Sequence, residues 1–423
     1  PGRLIAMGFA AVILIGSVLL ILPVSVRPGV KVHYIDALFT STSAVCVTGL
    51  IAIDAFDNFT VFGQVVLAAL IQIGGLGVSS VGVGLVLAAG KRVSFHGRLL
   101  VKEALNVDTF QGMVKLVKWV LLVTLCFEGA GAILSFISFS QDYPLPRAIW
   151  TSIFHSVAAF NNSGFDILGG MQNLIPYQSD ILLNLTTCAL IIFGGIGFLV
   201  ILDVVRARSF RKLNLHSKVV ISTTAALLII GTLLLKATED MSWLGAFFHS
   251  VSARTAGFST YSMGELTNAG LFVLILLMFI GACAGSTGGA IKCSRVLLLL
   301  KCIRREIRQV VHPRSVNVVK LDGRVVDEDS LRSVQLFFAA YLFIALGATL
   351  LVSVDNFSFG TTFTAVVSCI GNVGPGLELV GPMGNYSAFS GFSKLVLSLC
   401  MLIGRLEVLP VLVLFSRNAW KRS

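Results

Sequence analysis

A chain of 423 residues that is 56% hydrophobic and only 13% charged, with mean hydropathy +0.90, is not a soluble globular protein, whose charged share would be about a quarter. The net charge of +11 does not point to nucleic acid, because the basic residues fall in alternate connecting segments between apolar stretches. No phosphate-binding GxxxxGK[ST] loop, nucleophile–base set, CxxC pair or Cys/His cluster occurs, so neither catalysis nor a metal site is expected.

Crossing the hydrocarbon core takes about 20 apolar residues, and about eight stretches qualify. They are Leu4–Leu22, Thr60–Ala89, Leu116–Phe139, Ile181–Val205, Val219–Leu235, Leu271–Leu300 (interrupted), Val334–Val354 and Leu395–Phe415. The first lacks a small-residue cleavage site, and the chain stays apolar after it, so a span is expected there and not a secretory signal. The chain starts at Pro1 without Met, and a trimmed start is expected.

Most of the 32 lysines and arginines lie at Arg3, in Lys91–Lys118, Arg206–Lys218 and Lys292–Arg332, and in the tail Arg417–Arg422. The opposite connections carry Asp36, Asp54, Asp57, Asp142, Asp166, Asp180, Glu239, Asp240, Glu265, Asp355 and Glu378. This positive-inside bias predicts cytoplasmic termini and an acidic outer face. The link Lys301–Arg332 also holds an acidic patch, Asp327, Glu328 and Asp329, and reads as either a solvated loop or a docking surface.

Between paired spans one pattern occurs four times, a small-residue run ending in a glycine turn: Phe39–Leu50, Phe154–Phe165, Phe248–Phe258 and Thr361–Leu377. A second glycine step follows each turn: Ile73–Gly77 (IGGLG), Phe193–Gly197 (FGGIG), Ile280–Gly285 (IGACAG) and Ile403–Glu407 (IGRLE). The two marks in phase divide the chain into four units, residues 1–90, 91–215, 216–312 and 313–423. A short segment such as Asp36–Cys46, at about 1.5 Å per residue, covers only about half the bilayer core. Backbone beyond such a half-helix must face protein or water. The expected fold is therefore an all-α membrane protein, with four span–pore helix–span repeats around a pseudo-fourfold axis and a single central pore.

Rings of backbone carbonyls replace the water of a cation, and glycine lets the backbone turn at positive φ and approach an axis closely. Half-helices would aim C-terminal ends, each roughly −0.5 charge, at the pore. The turns contain no Asp or Glu, against a calcium-type carboxylate filter. A monovalent cation follows, with potassium preferred and sodium imperfectly rejected.

The turns VTGL (Val47–Leu50), NSGF (Asn162–Phe165), TAGF (Thr255–Phe258) and NVGPGL (Asn372–Leu377) resemble the filter segments of the Trk/Ktr/HKT superfamily of potassium translocation proteins. Gly281–Lys292 (GACAGSTGGAIK) resembles that family's intramembrane gating loop, and Gly404–Glu407 (GRLE) the motif of its pore arginine. HSVAAFNNSGF and the first unit resemble the KtrB-type membrane subunit. GSTGG, VHP (Val311–Pro313), NVGPGL and GRLE resemble the TrkH type.

The resemblance implies filter carbonyls from Val47, Thr48 and Gly49, from Asn162, Ser163 and Gly164, from Thr255, Ala256 and Gly257, and from Asn372, Val373 and Gly374, with K⁺ held at the four glycines. It implies a gate of Gly281, Gly285, Ser286, Thr287, Gly288, Gly289 and Arg405. It also implies a homodimer in a bacterial inner membrane, no cofactor in this chain, and a cytosolic ring of nucleotide-binding regulatory subunits of TrkA or KtrA type. The fourth turn departs by Pro375 and Gly376, which can shift its register.

Physics supports the loop independently. Glycines lower helix propensity by roughly 1 kcal/mol each, so residues 281–289 interrupt their span. Arg405 in an apolar span costs at least about 2.5–3.5 kcal/mol at the bilayer centre and should meet a wet cavity or a partner. Pairing with Glu407 and snorkelling to an interface are the alternatives. Arg254 can brace the third turn, Glu128 can hydrogen-bond between helices or meet ions, and His155 and His249 read as packing residues. The eight cysteines read as small buried hydrophobes. Two other classes compete, a secondary transporter built of broken helices and a non-transporting scaffold for a cytosolic assembly.

Overall fold

The computed structural model describes residues 2–88, 113–283, 285–312, 317–321, 324–374, 376–381 and 383–407. The basic segment Lys91–Lys102, Ala284, Pro313, Pro375 and the tail Arg417–Arg422 lie outside these residues. The structure is mostly helical. Long helices α1 (Gly2–Ile21), α5 (Met113–Asp142), α9 (Leu215–Thr238) and α13 (Glu328–Val352) are each followed by a short one, α2 (Tyr34–Val45), α6 (Leu145–Phe160), α10 (Trp243–Ser252) and α14 (Phe359–Gly371). After each short helix and its turn comes another helix, α3 (Val61–Leu76), α7 (Ile181–Ile196), α11 (Asn268–Phe279) or α15 (Gly391–Leu406). These later helices start at side-chain caps, since Thr60, Asp180, Thr267 and Ser390 each accept a hydrogen bond from a backbone N–H in the first turn.

By length and composition the four long helices can cross a membrane. The sequence predicts single spans at Thr60–Ala89 and Ile181–Val205, and in the structure each is a pair of helices with a sharp bend between them. Helix α3 bends by 106° into α4 (Val78–Ala88), and α7 bends by 95° into α8 (Phe198–Ala207). The physical cause is the glycine step. Gly77 and Gly197 take φ of 83° and 101°, which ends one helix and re-aims the next. Residues 280–292 separate α11 from α12 (Cys293–Val311), as expected of the interrupted span.

Long and short helices are packed inside out relative to a soluble protein. The short helices are rich in Ser and Thr and lie buried, as at Thr40, Ser41, Ser43, Ser152, Ser156, Ser250, Ser252, Thr361 and Ser368. The long helices turn apolar side chains outward, Phe343 and Leu350 being 76% and 74% exposed. Lipid tails are as apolar as leucine, so close packing and hydrogen bonds between helices carry the association. One device for this recurs three times. Ser41 Oγ donates to the Ile13 carbonyl at 2.8 Å, Ser156 Oγ to Glu128 at 2.6 Å and Ser250 Oγ to Leu228 at 3.0 Å. One turn on from each acceptor a glycine, Gly16, Gly131 or Gly231, admits the serine, and a Cβ there would lie within 2.5 Å of the hydroxyl.

Much of the link Lys301–Arg332 is also structured. Helix α12 runs to Val311, and Lys320–Leu321 pairs antiparallel with Arg324–Val325. Asp327 caps α13 by accepting from Ser330 N at 3.0 Å, and Glu328 pairs with Arg305 at 2.5 Å. The acidic patch therefore stabilises a helix N-terminus.

Candidate functional site

The four glycine turns lie against one another. Each has positive φ at its glycine and two residues earlier: Val47 56° and Gly49 79°, Asn162 56° and Gly164 71°, Thr255 74° and Gly257 80°, Asn372 50° and Gly374 129°. The same spacing in the fourth turn keeps its register despite the extra Gly376. Left-handed conformation at Val47 and Thr255 is strained for β-branched residues and persists only where surroundings over-determine it. Here each turn is tied back onto its own helix. Thr48 N donates to Ser43 O and Ser163 N to Ala158 O, both at 2.8 Å, while Val373 N donates to Ser368 O at 3.1 Å and Gly257 N to Ser252 O at 3.2 Å.

Neighbouring turns meet backbone to backbone. A Cβ on Gly49 would lie 2.0 Å from the Ser163 carbonyl, one on Gly164 2.5 Å from the Ala256 carbonyl, and one on Gly374 2.4 Å from Gly257 Cα. Asn372 Nδ2 donates to Thr48 Oγ1 at 3.0 Å, bringing the fourth turn against the first. A cleft on one side of the turns is lined by Gly49, Gly164, Asp54 and Asp166 among others. There the amides of Gly170 and Met171 donate to Asp57 and Asp54 at 3.0 and 3.1 Å.

The loop 280–292 packs against these turns. A Cβ on Gly288 would lie 2.3 Å from Thr255 Oγ1, and one on Gly289 2.5 Å from Asn372 Oδ1. Peptide groups freed by the helix break find protein partners, as a bilayer requires. Cys283 N donates to Gly195 O at 3.1 Å, Thr287 N to Gly194 O at 3.3 Å, and Phe198 N to Gly285 O at 3.2 Å, so the loop is seated on the break between α7 and α8. Ser286 Oγ donates to Cys283 O at 2.7 Å within the loop. Gly281 N donates to Ile291 O at 3.0 Å and closes its base, and Arg254 Nη2 donates to Gly281 O at 3.3 Å. Arg254 thus braces the loop base.

Arg405 is half-buried near the end of α15. Its Nη1 donates to Thr287 O at 2.5 Å and its Nη2 to Gly74 O at 2.6 Å and Gly75 O at 3.2 Å. In the IGGLG/IGRLE alignment it stands where the first unit has Gly75. Glu407 takes a different partner, Arg295, at 2.5 Å. The guanidinium charge is therefore met by carbonyl dipoles from the loop and from the α3–α4 break.

The TrkH model, described as a cation transport protein, matches residues 6–223 and 218–422. The chain belongs to the TrkH family of cation transport proteins. Potassium/sodium uptake protein NtpJ of Enterococcus hirae is 35% identical over 97% of this chain and 92% of its own length. Ktr system potassium uptake protein B of Bacillus subtilis is 32% identical over 99% and 93%. The solved structure of the potassium transporter TrkH from Vibrio parahaemolyticus aligns with a TM-score of 0.79, covering 98% of this chain and 86% of that one, and at 24% identity it shares the fold. A TrkH-family chain with these apolar helices is a multi-pass membrane protein, and its relatives are transporters and not enzymes.

Other polar side chains of this TrkH-family chain hold the helices together. Lys394 Nζ is 2.6 Å from Asp36 Oδ1 in a buried pair joining α15 to the start of α2. Glu128 accepts from Asn161 Nδ2 at 3.1 Å and Gln72 Nε2 at 3.3 Å, the interhelical alternative of the two read from sequence. His155 Nε2 bonds Thr187 Oγ1 at 2.8 Å, and His249 lies between Gly245 O and Ser259 Oγ at 3.0 and 2.9 Å, both as packing residues. Sequence reasoning missed Asn161, Gln72 and the three Gly–Ser contacts. The signal available was a glycine in each of the first three long helices matched to a serine in the following short one.

Proposed function

We propose that this chain mediates potassium uptake as a channel-like path for monovalent cations. The path runs through four carbonyl-lined glycine turns arranged about a pseudo-fourfold axis, one from each of the units 1–90, 91–215, 216–312 and 313–423. The observation that carries the reading is the contact among the four turns: Gly49 on Ser163, Gly164 on Ala256 and Gly374 on Gly257 backbone to backbone, with a side-chain hydrogen bond from Asn372 to Thr48 joining the fourth turn to the first. Such close approach leaves room for carbonyls and none for side chains, which suits exchange of an ion's water for peptide oxygens. Residues 47–49, 162–164, 255–257 and 372–374 line the filter on this reading, and K⁺ sits at the four glycines.

The loop Gly281–Gly289, with Ser286, Thr287 and Gly288, obstructs the path when Arg405 grips the Thr287 carbonyl, and it moves aside to open. The names of NtpJ and KtrB, both uptake proteins, support the potassium assignment, and NtpJ's adds sodium as an ion to test. With both termini cytoplasmic in a bacterial inner membrane, an inside-negative potential contributes about 2.3 kcal/mol per charge per 100 mV toward uptake. A homodimer with a cytosolic nucleotide-binding subunit of TrkA or KtrA type completes the proposal, the nucleotide being bound by that partner.

The test is ⁸⁶Rb⁺ uptake into proteoliposomes holding this chain, with K⁺, Na⁺ and choline as competitors and Gly164→Ser alongside. Uptake blocked by K⁺ over Na⁺, with that preference lost in Gly164→Ser, supports the filter. The bent pairs α3–α4 and α7–α8 favour one alternative, coupled transport through broken helices. Uptake that requires an imposed H⁺ or Na⁺ gradient would decide for it.

A further inference from the structure

Two thiols stand in the interrupted span, Cys283 within the loop and Cys293 where helix α12 begins. Cys283 Sγ and Cys293 Sγ are 3.5 Å apart, and both are buried. The closed loop base brings them together, with Ile280 and Ile291 forming a bridge beside them. Cys293 Sγ lies 3.2 Å from Arg254 Nη2 and also 3.2 Å from the Gly281 carbonyl, while Cys283 Sγ lies 3.7 Å from Thr224 Oγ1. The ion path described above uses neither sulfur. The thiolate is the nucleophilic form of a cysteine, and Arg254 sets a cation beside Cys293. A small cleft lined by Thr224, Arg254 and Ala282 reaches the side chains that touch both sulfurs.

We propose that Cys283 and Cys293 form a hydroperoxide-responsive dithiol whose oxidation to a disulfide pins the loop in its obstructing position. The pinning rests on reading the loop as the gate. The Cys293 thiolate attacks one oxygen of hydrogen peroxide and the O–O bond breaks, giving the sulfenic acid and, with one proton, water. Cys283 sulfur then attacks the sulfenic sulfur. The S–S bond forms, the S–O bond breaks, and the leaving hydroxide takes the Cys283 proton as a second water. Two thiols and one peroxide become one disulfide and two waters, the two electrons passing from sulfur to oxygen. Burial makes the site selective for a small neutral oxidant and closes it to bulky charged disulfides. The new bond ties residues 284–292 into a ring and holds Thr287 O where Arg405 binds it. A small dithiol reductant reverses the step.

The experiment uses the full chain in proteoliposomes, treated with hydrogen peroxide, alkylated and mapped by peptide mass spectrometry, with ⁸⁶Rb⁺ uptake measured in parallel. The expected result is a Cys283–Cys293 linked peptide lacking two hydrogens, uptake falling toward that of empty vesicles, and recovery with dithiothreitol. Cys283→Ser and Cys293→Ser each lose both the linked peptide and the response. Alkylation of both thiols after peroxide, to the same extent as in vesicles never treated with peroxide, overturns the dithiol. Under that outcome a rise in uptake by Arg405→Ala keeps the gate reading intact. A linked peptide with undiminished uptake overturns the pinning, and silence of Arg405→Ala in the same vesicles then removes the gate reading too.

Discussion

Arg405 and Thr287 are joined by a 2.5 Å hydrogen bond between a guanidinium at the end of α15 and a carbonyl in the interrupted span 118 residues away. The other arm of the same guanidinium reaches Gly74, at the α3–α4 break. One side chain therefore links the loop to a second, separately built element.

A hydrogen bond to a charged group contributes about 1.5–3 kcal/mol, and about 1.4 kcal/mol is a factor of ten in an equilibrium. Arg405→Ala releases the loop, so ⁸⁶Rb⁺ uptake should rise about tenfold or more while the preference for K⁺ over Na⁺ persists. Arg405→Lys keeps the charge but not the two-armed grip, and should give an intermediate rate. Unchanged uptake in Arg405→Ala would show that the bond does not hold the path shut.

Substitution at the turn glycines should act on selectivity. A Cβ on Gly49 would lie 2.0 Å from the Ser163 carbonyl, and φ there is 79°. Gly49→Ala and Gly164→Ser should reduce K⁺-competed uptake and let Na⁺ compete. Gly129→Ala is the control. Nothing lies within 4 Å of its Cβ and the site is an exposed helix position, so uptake should be unchanged and stability equal or higher by up to about 1 kcal/mol.

The buried pair Lys394–Asp36 sets a stability test. Removing one partner strands the other charge, a loss of about 3–5 kcal/mol, whereas replacing both by apolar residues is far less costly. Lys394→Met should lower the unfolding midpoint in detergent strongly, and Asp36→Leu/Lys394→Met should recover most of it. A double variant as unstable as the single one would mean that the pair is not a closed unit.

A pH dependence follows from Asp166, in the connection just beyond Gly164. Burial, and then the charges of Asp54 and Asp57, push its carboxyl up to about 7. Its proton is held more tightly in the folded chain than in the unfolded one. The group therefore adds stability at low pH, and that contribution is lost as pH rises through about 7. For transport the sign is opposite. On the proposed path through Gly164, lowering the pH from about 8 to about 6 neutralises a carboxylate in the cleft that Gly164 also lines and should slow uptake by weakening cation attraction. Asp166→Asn should be slow and flat over the same window, and an unchanged pH profile in that variant would exclude the residue.

The helix break at 280–292, the buried Ser/Thr-rich short helices and the glycine turns were legible because each follows from local composition. Backbone that leaves a helix inside a bilayer needs glycine and needs partners, wherever those partners come from. The bends at Gly77 and Gly197 were less legible, because a membrane helix tolerates glycine and only the φ each one takes reveals a break. The left-handed Val47 and Thr255 carried no sequence signal at all. They are held there by bonds to the preceding helix, against their own preference.

By itself the sequence determined a helical membrane protein with four glycine turns and one broken span, because hydropathy and glycine spacing act within a few residues. Tertiary structure alone decided which groups meet. Arg405 reaches carbonyls 118 and 331 residues away, Glu407 turns to Arg295 instead of its near neighbour, and Cys283 meets Cys293 across a closed loop. Those pairings depend on how the helices pack, and packing is a property of the whole chain.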